Sequence, residues 1–85
     1  MGDSAVNKEF KGQQGALPGF PEAKYVGKKH DRDRWELPDK KFLDWDYRHG
    51  ELEMFNKTGK KHLGAYDPYT GDQLKEGRPD RKAKP

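Results

Sequence analysis

Apolar and polar residues alternate in short runs along the second half of the chain, and turn residues separate the runs. This period of two is typical of strands with one buried face. It predicts strands over residues 41–45, 50–55, 62–66 and 72–75. No stretch of ten residues has apolar positions at helical spacing. The pattern therefore predicts a mainly β fold, a single small, highly twisted antiparallel sheet.

The segments between these strands have the composition of hairpin loops. Residues 56–60 (Asn-Lys-Thr-Gly-Lys) place Gly59 where such a loop needs a positive φ. Residues 67–71 begin with Asp and Pro, which favour a type I turn, and close with Gly. Residues 27–33 alternate in charge, and we expect an exposed loop there. After Gly77 the alternation stops and the tail is basic.

The N-terminal part of the chain lacks any periodicity and is rich in Gly, Gln, Lys and Asn. We expect residues 1–17 to be a flexible leader and residues 18–85 to be the folded domain. No apolar run approaches the length of a membrane span, and the first residues begin no signal peptide. The chain is therefore expected to be cytosolic, or a piece of a larger protein whose targeting signal lies elsewhere.

The composition indicates a small domain with a thin aromatic core. Leu, Val and Phe together supply 12 of the 85 residues, Ile is absent, and 39% of the residues are charged. Such a low content of large aliphatic and Phe residues and such a high content of charged residues are typical of disordered chains. The aromatic content of 12% acts in the opposite direction, because each ring buries a large area. Cysteine is absent, which excludes disulfides and thiolate zinc sites.

The net charge of +3 is distributed unevenly. Residues 24–41 carry seven Lys and Arg against four acids, and residues 75–85 carry five against two. Residues 42–56 carry one Arg against four acids. An acidic centre between basic arms suits an enzyme that holds phosphates with the arms and transfers protons in the middle. The alternative is that, in a chain with 39% charged residues, such charge clusters arise by chance and carry no function.

The acidic centre also has the arrangement of a catalytic site. If residues 49–55 form a strand, His49, Glu51 and Glu53 share one face, and Leu52 and Met54 point the other way. Three consecutive titratable groups on one face are unusual for a strand that only stabilises a fold. We therefore interpret this segment as a candidate site.

Such groups can cleave RNA without a metal by activating its 2′-hydroxyl. The reaction needs a base, an acid for the leaving oxygen and a cation for the charge on phosphorus. Glu53, or Asp46 acting with His49, is the candidate base. His49 is the candidate acid, because histidine has a reference pKa of about 6.5. Arg81 or a nearby Lys would supply the cation, and Glu51 would be a further site residue or would only orient its neighbours.

A metal site is the alternative interpretation of the same residues. His49 with Asp46, Glu51 and Glu53 offers ligands for a divalent ion, but a single His lacks the two-His spacing of zinc hydrolases. We predict no metal and no cofactor. His30 is expected to be solvated, and His62 to pack or to form hydrogen bonds.

Two motifs in this region resemble a known family. They are Trp45-Asp46-x-x-His49-Gly50-Glu51-Leu52-Glu53 and His62-Leu63-Gly64-x-x-Asp67-Pro68-x-Thr70-Gly71-x-Gln73-Leu74-Lys75. Together they are similar to the C-terminal cytotoxic domain of ribosome-inactivating colicins and cloacin. The resemblance begins near Pro18, takes in Arg34-Trp35 and runs to Arg81. The same domain type also occurs as the C-terminal toxin of contact-dependent growth inhibition systems.

The resemblance implies a metal-independent endoribonuclease that cleaves 16S rRNA in the decoding site of the small ribosomal subunit and so blocks translation. It implies a cognate immunity protein, which the basic surface predicts to be acidic. It also implies delivery, secreted or at the cell surface, as the C-terminal part of a larger toxin that acts in the target-cell cytoplasm. The family's catalytic residues fall on Asp46, His49, Glu51, Glu53 and Arg81.

The predicted RNA-binding residues come from the basic arms and the acidic segment's single Arg. They are Lys28, Lys29, Arg34, Arg48, Lys75 and Lys82. Two departures from the family stand out: the leader does not match the residues that precede the sheet, and a more charged segment at 26–31 replaces a glycine-rich basic loop.

Two other functions fit the composition. A non-catalytic RNA- or ribosome-binding module would need only the basic arms and exposed aromatics. A less specific RNase would degrade naked RNA as readily as ribosomes. The acidic face favours an enzyme, because a passive binder gains nothing from carboxylates opposed to phosphate.

Overall fold

A computed structural model describes residues 15–85, which form one six-stranded antiparallel sheet in the order β1-β2-β3-β4-β5-β6. The strands are β1 (Lys24–Lys29), β2 (Arg32–Glu36), β3 (Phe42–Asp46), β4 (Glu51–Phe55), β5 (His62–Tyr66) and β6 (Gln73–Glu76). This part of the chain contains no helix, so none that could cross a membrane. The predicted class, mainly β with a single antiparallel sheet, is confirmed. Most of the predicted leader, residues 1–14, lies outside the described residues.

The four predicted strands correspond to β3 to β6, with ends that differ by a residue. The predicted hairpin loops are also present. Gly59 has a φ of 76° and Gly71 a φ of 81°, as the loop positions require. The Asp67 carboxylate accepts hydrogen bonds from the amides of Tyr69 and Thr70 at 2.7 and 3.1 Å, which fixes the start of the second loop.

The expectation of an exposed loop over residues 27–33 is wrong. β1 and β2 form a hairpin in which Lys29 pairs with Arg32, so only His30 and Asp31 lie between them. Both have positive φ, 54° and 69°, as a type I′ turn requires. His and Asp tolerate this conformation better than most residues, but they are weaker signals for it than Asn-Gly. The charged sequence of this segment therefore did not predict the hairpin that it forms.

One face of the sheet carries the hydrophobic core. Its buried members are Leu17, Trp35, Leu43, Trp45, Leu52 and Met54. Leu17 belongs to the segment assigned to the leader, yet it is only 2% exposed. The following turn is tied to the second predicted hairpin loop, because the Gly19 amide donates to the Pro68 carbonyl at 2.8 Å. The segment before β1 thus covers the core face.

The opposite face carries the charged residues. The register of β3 and β4 sets Asp44 opposite Glu53 and Asp46 opposite Glu51. The chain after β6 returns to this face, and its end is fixed at two points. The Ala83 amide donates to the Gly59 carbonyl at 2.8 Å, and Arg34 Nη2 donates to the Lys84 carbonyl at 2.8 Å. This return positions the C-terminal cations over the acidic strands.

Candidate active site

A buried ion pair lies beside the acidic strands. Arg34 Nε and Nη2 donate to the two Asp44 oxygens at 2.6 and 2.9 Å, and the guanidinium lies 3.8 Å from the centroid of the Phe42 ring. Both residues of the pair are buried. Arg34, predicted to bind RNA, is buried but lines a cavity that also contains Lys29 and Lys82, so its role in RNA binding stays a prediction. Its charge is used within the fold, where it compensates Asp44 and holds the C-terminal segment.

Asp46 and His49 form the first carboxylate–histidine pair. Asp46 ends β3, and its Oδ1 accepts hydrogen bonds from the Arg48 and His49 amides at 2.9 and 3.2 Å. Its Oδ2 lies 2.9 Å from His49 Nδ1. The turn closes where the Gly50 amide donates to the Asp46 carbonyl at 2.8 Å, with Gly50 at a φ of 67°.

These contacts determine the charge of Asp46. Burial by itself raises the pKa of this carboxyl, but the hydrogen bonds from the His49 ring and from the His49 and Arg48 amides outweigh it and lower the pKa below the ordinary value of 3.8. Asp46 is therefore ionised at neutral pH. With Nδ1 bound to Asp46, Nε2 is the His49 nitrogen available to a substrate, and half of this side chain is exposed.

Glu53 and His62 form a second, buried pair. The His62 Nε2 lies 2.7 Å from Glu53 Oε1, and both side chains are almost fully buried. The backbone amide of Arg78 donates to His62 Nδ1 at 3.0 Å. Because Nδ1 accepts this hydrogen bond, the ring proton is on Nε2 and is donated to the carboxylate. His62 thus fixes the orientation of Glu53 and presents a proton donor to its Oε1.

A β-bulge brings His62 to this face. Met54 pairs with Gly64 but Phe55 pairs with His62, so Leu63 is an extra residue in β5. Strict alternation would have placed His62 on the core side with Tyr66, whereas the bulge turns it toward Glu53 and leaves Leu63 packed against the core. The sequence predicted a hydrogen-bonding role for His62 but not this position. The sequence signal of irregular backbone here was a glycine inside the predicted strand, Gly64, which has a φ of 138° in the structure.

Glu51 completes a group of three carboxylates. One oxygen from each of Asp46, Glu51 and Glu53 lies within 4.8 Å of the others. Lys75 Nζ lies 3.2 Å from Glu51 Oε1 as a charge contact, and Arg81 Nη1 lies 3.8 Å from Glu53 Oε1. The five predicted catalytic residues are therefore neighbours in the structure. Oxygen donors so close together would also suit a hard divalent cation.

Basic side chains surround the acidic group. A cleft of about 280 Å³ is lined by Arg32, Asp46, Tyr47, Arg48, His49 and Arg81. A second cavity of about 510 Å³ shares Arg32 and Arg81 with it. That cavity is also lined by Lys29, Arg34 and Lys82, and Arg48 lines the first cleft. Of the other predicted RNA-binding residues, Lys75 contacts Glu51, and Lys28 contacts Asp33 and Tyr47.

The described residues form an antiparallel sheet that carries two carboxylate–histidine pairs beside a cleft with a basic rim. The family model described as Cytotoxic matches residues 13–84, and the chain belongs to this family. The predicted resemblance to the cytotoxic domains of colicins and cloacin is thereby confirmed.

Three proteins of Escherichia coli are similar to this chain. Colicin E3 is 39% identical over 79 residues, cloacin 38% over 78 residues and colicin E6 38% over 79 residues. Each alignment covers 91% of this chain but 14% of the relative. The chain therefore spans about a seventh of the length of these relatives.

Proposed function

We propose that this toxin domain is a metal-independent endoribonuclease that uses the 2′-hydroxyl of its substrate as the nucleophile. One observation carries the proposal: the Asp46–His49 and Glu53–His62 pairs lie together with Arg81 under a basic rim. A base, an acid and a cation are the three groups that this reaction needs.

The hydrogen bonds favour different roles for the two pairs. The Asp46 carboxylate beside His49 Nδ1 orients the ring so that Nε2 faces the cleft, which suits an acid that protonates the leaving 5′ oxygen from Nε2. Glu53 accepts a hydrogen bond from His62 Nε2 on Oε1, and its second oxygen is the one assigned to the substrate 2′-hydroxyl. We therefore assign Glu53 as the base and His49 as the acid, with Asp46 as the alternative base.

Arg81 is the cation in this scheme. The Arg81 side chain is two-thirds buried and lines both basic cavities, and its Nη1 lies 3.8 Å from the carboxylate of the base. As the 2′ oxygen attacks, negative charge develops on the phosphoryl oxygens next to the base. A guanidinium fixed there stabilises that charge without rearrangement.

The proposed substrate is 16S rRNA in the decoding site of the small ribosomal subunit, and the proposed consequence is a block of translation. Membership of the Cytotoxic family and the similarity to colicin E3, cloacin and colicin E6 support this assignment. The proposal includes delivery to target cells as part of a larger toxin and an acidic immunity protein that protects the producing cell.

A cleavage assay on ribosomes and on naked rRNA tests the proposal. We expect one discrete small-subunit fragment from ribosomes and slower cleavage of naked RNA. Equal degradation of both would instead identify a less specific RNase. Binding to ribosomes without any fragment would identify a non-catalytic binding module.

The three clustered carboxylates favour one alternative mechanism, in which a divalent cation bound by Asp46, Glu51 and Glu53 activates the nucleophile. The histidine and cation contacts already compensate these charges, which favours the metal-independent mechanism. The chemistry of the product ends distinguishes the two mechanisms.

A further inference from the structure

Tyr47 is an exposed aromatic residue in the wall of the active-site cleft. Three large apolar side chains are exposed within residues 15–85: Val26, Tyr47 and Leu74. Tyr47 is 44% exposed, and of the three it alone lines the cleft that contains His49. An aromatic side chain in this position needs an explanation, because the other rings of the described chain are buried or half-buried.

Specific contacts hold this ring in place. Its hydroxyl donates to Asp33 Oδ2 at 3.2 Å and accepts a hydrogen bond from Lys28 Nζ at 3.1 Å. Its ring packs edge-on against Trp45, with centroids 6.4 Å apart and planes at 80°. Asp33 is itself buried, and its second oxygen accepts the Tyr25 hydroxyl at 2.7 Å. The ring is therefore ordered before any ligand arrives, which lowers the entropy cost of binding.

The charges around the ring match a nucleic-acid strand. Arg32, Arg48 and Arg81 line the same cleft, and the Lys28 ammonium lies 5.8 Å from the ring centroid. The hydrogen bond with the Tyr47 hydroxyl raises the pKa of Lys28, so this ammonium keeps its charge. A flat exposed ring among cations is the arrangement by which proteins bind an unpaired base and the phosphates on either side of it.

We propose that Tyr47 is a stacking platform for an unpaired nucleobase of the RNA next to the cleaved bond. The inference rests on the proposed function, because it places the base beside the phosphate that His49 and Glu53 act on. It adds a binding subsite and a substrate requirement: the nucleotide at that position must be unstacked from its neighbours.

Binding to a short single-stranded oligoribonucleotide tests the platform. The probe has the decoding-site sequence and a 2′-O-methyl group at the cleaved nucleotide, so that it binds without reacting. Tyr47→Leu is expected to weaken binding by about 5- to 150-fold, the range measured when aromatic stacking partners are removed. Tyr47→Phe keeps the ring and should stay within about threefold of the wild type. Leu74→Ala, at the other exposed apolar site, is the matched control.

Removal of single bases from the probe locates the partner. One abasic position should weaken binding to the wild-type protein but not reduce binding to Tyr47→Leu any further. In ribosome cleavage, Tyr47→Leu should raise KM and leave kcat close to that of the wild type.

The outcomes separate this inference from the proposed function. If the wild type cleaves ribosomes and Tyr47→Leu binds and cleaves equally well, only the platform is wrong. Equal losses for Tyr47→Phe and Tyr47→Leu would also overturn it, because the hydroxyl network and not the ring would then carry the effect. A wild-type protein that neither binds nor cleaves RNA would overturn both.

Discussion

The two histidines of the site differ because their ring nitrogens have different partners. His49 is half exposed and uses Nδ1 to contact Asp46, which leaves Nε2 for the substrate. His62 is buried, and both of its nitrogens are occupied, by the Arg78 amide and by Glu53. The exposed ring can exchange protons during a reaction, whereas the buried ring positions a neighbour.

The first prediction concerns the acid and the base. His49→Ala and Glu53→Gln should each lower ribosome cleavage by about 10²- to 10⁴-fold, because each removes a proton-transfer group. Both proteins should stay folded, as judged by circular dichroism and thermal unfolding, since His49 is at the surface and Gln has nearly the shape of Glu.

Asp46→Asn is the comparison that decides which residue is the base. If Glu53→Gln retained activity while Asp46→Asn had none, the base would be Asp46. A folded His49→Ala protein with near-wild-type cleavage would remove His49 from the mechanism altogether.

The second prediction follows from the lowered pKa of Asp46. The ionised carboxylate stabilises the turn after β3 fully above its ordinary pKa of 3.8, and this contribution is lost as the pH falls through the lower folded value. Urea unfolding of the wild type and of Asp46→Asn should therefore show a stability difference that shrinks between about pH 5 and pH 2. A difference that stays constant over this range would mean that the pKa of Asp46 is not lowered by folding.

At the scale of the elements, the structure shows why the sequence predicted four strands and missed two. Gly59 and Gly71 adopt the positive φ that turns favour, and they precede β5 and β6. β3 and β4 carry apolar residues that face the core. β1 and β2 are mostly charged, and Asp33 and Arg34 are buried only because tyrosine hydroxyls and Asp44 compensate them. Composition cannot reveal such pairs, because the partners are distant in the sequence.

The same reasoning applies to the candidate site. A period of two was sufficient to place Glu51 and Glu53 on one face, and the turn at Gly50 then brought His49 back to Asp46. The bulge that turns His62 toward Glu53 breaks this period, so alternation could not predict it. Arg81 was assigned by resemblance, because its approach to Glu53 depends on how the C-terminal segment returns to the sheet.

The third prediction concerns the Arg34–Asp44 pair, which joins β2, β3 and the C-terminal segment. Asp44→Ala leaves a buried guanidinium without its carboxylate and should lower the free energy of unfolding by about 3–5 kcal/mol. The double variant Arg34→Met with Asp44→Leu removes both charges and should recover most of this stability.

Urea unfolding of Asp44→Ala, of the single variants Arg34→Met and Asp44→Leu, and of the double variant provides the measurement. Losses that simply add in the double variant would show that the pair is not energetically coupled. The double variant should still cleave ribosomes poorly, because the contact from Arg34 to the Lys84 carbonyl that helps to position Arg81 is gone.

At the level of the whole molecule, the cleft and the adjoining cavity are lined by more cations than acids: Lys29, Arg32, Arg34, Arg48, Arg81, Lys82 and Lys84 against Asp44 and Asp46. Such a surface attracts an RNA backbone, and it also attracts an acidic protein inhibitor. The proposed immunity protein should therefore associate rapidly, with a rate that falls as salt is added.

The fourth prediction tests that docking surface. Lys29 and Lys82 are exposed and line the same cavity, so Lys29→Glu with Lys82→Glu should slow association at low salt more than it speeds dissociation. Lys28 is a poorer probe, since its ammonium bonds Asp33 and Tyr47. Stopped-flow measurement with an acidic protein that protects cells from the toxin gives both rates. An unchanged association rate would place the inhibitor elsewhere.

We propose that the protein's own side chains, and not a metal ion, activate the 2′-hydroxyl of RNA. Mapping the ends of the ribosomal fragment produced in excess EDTA tests it most directly. We expect full cleavage, with a 2′,3′-cyclic phosphate or its opened 3′-phosphate on one fragment and a 5′-hydroxyl on the other. A 3′-hydroxyl end, or cleavage that returns only when Mg²⁺ is added back, would contradict it and assign the three carboxylates to a metal ion.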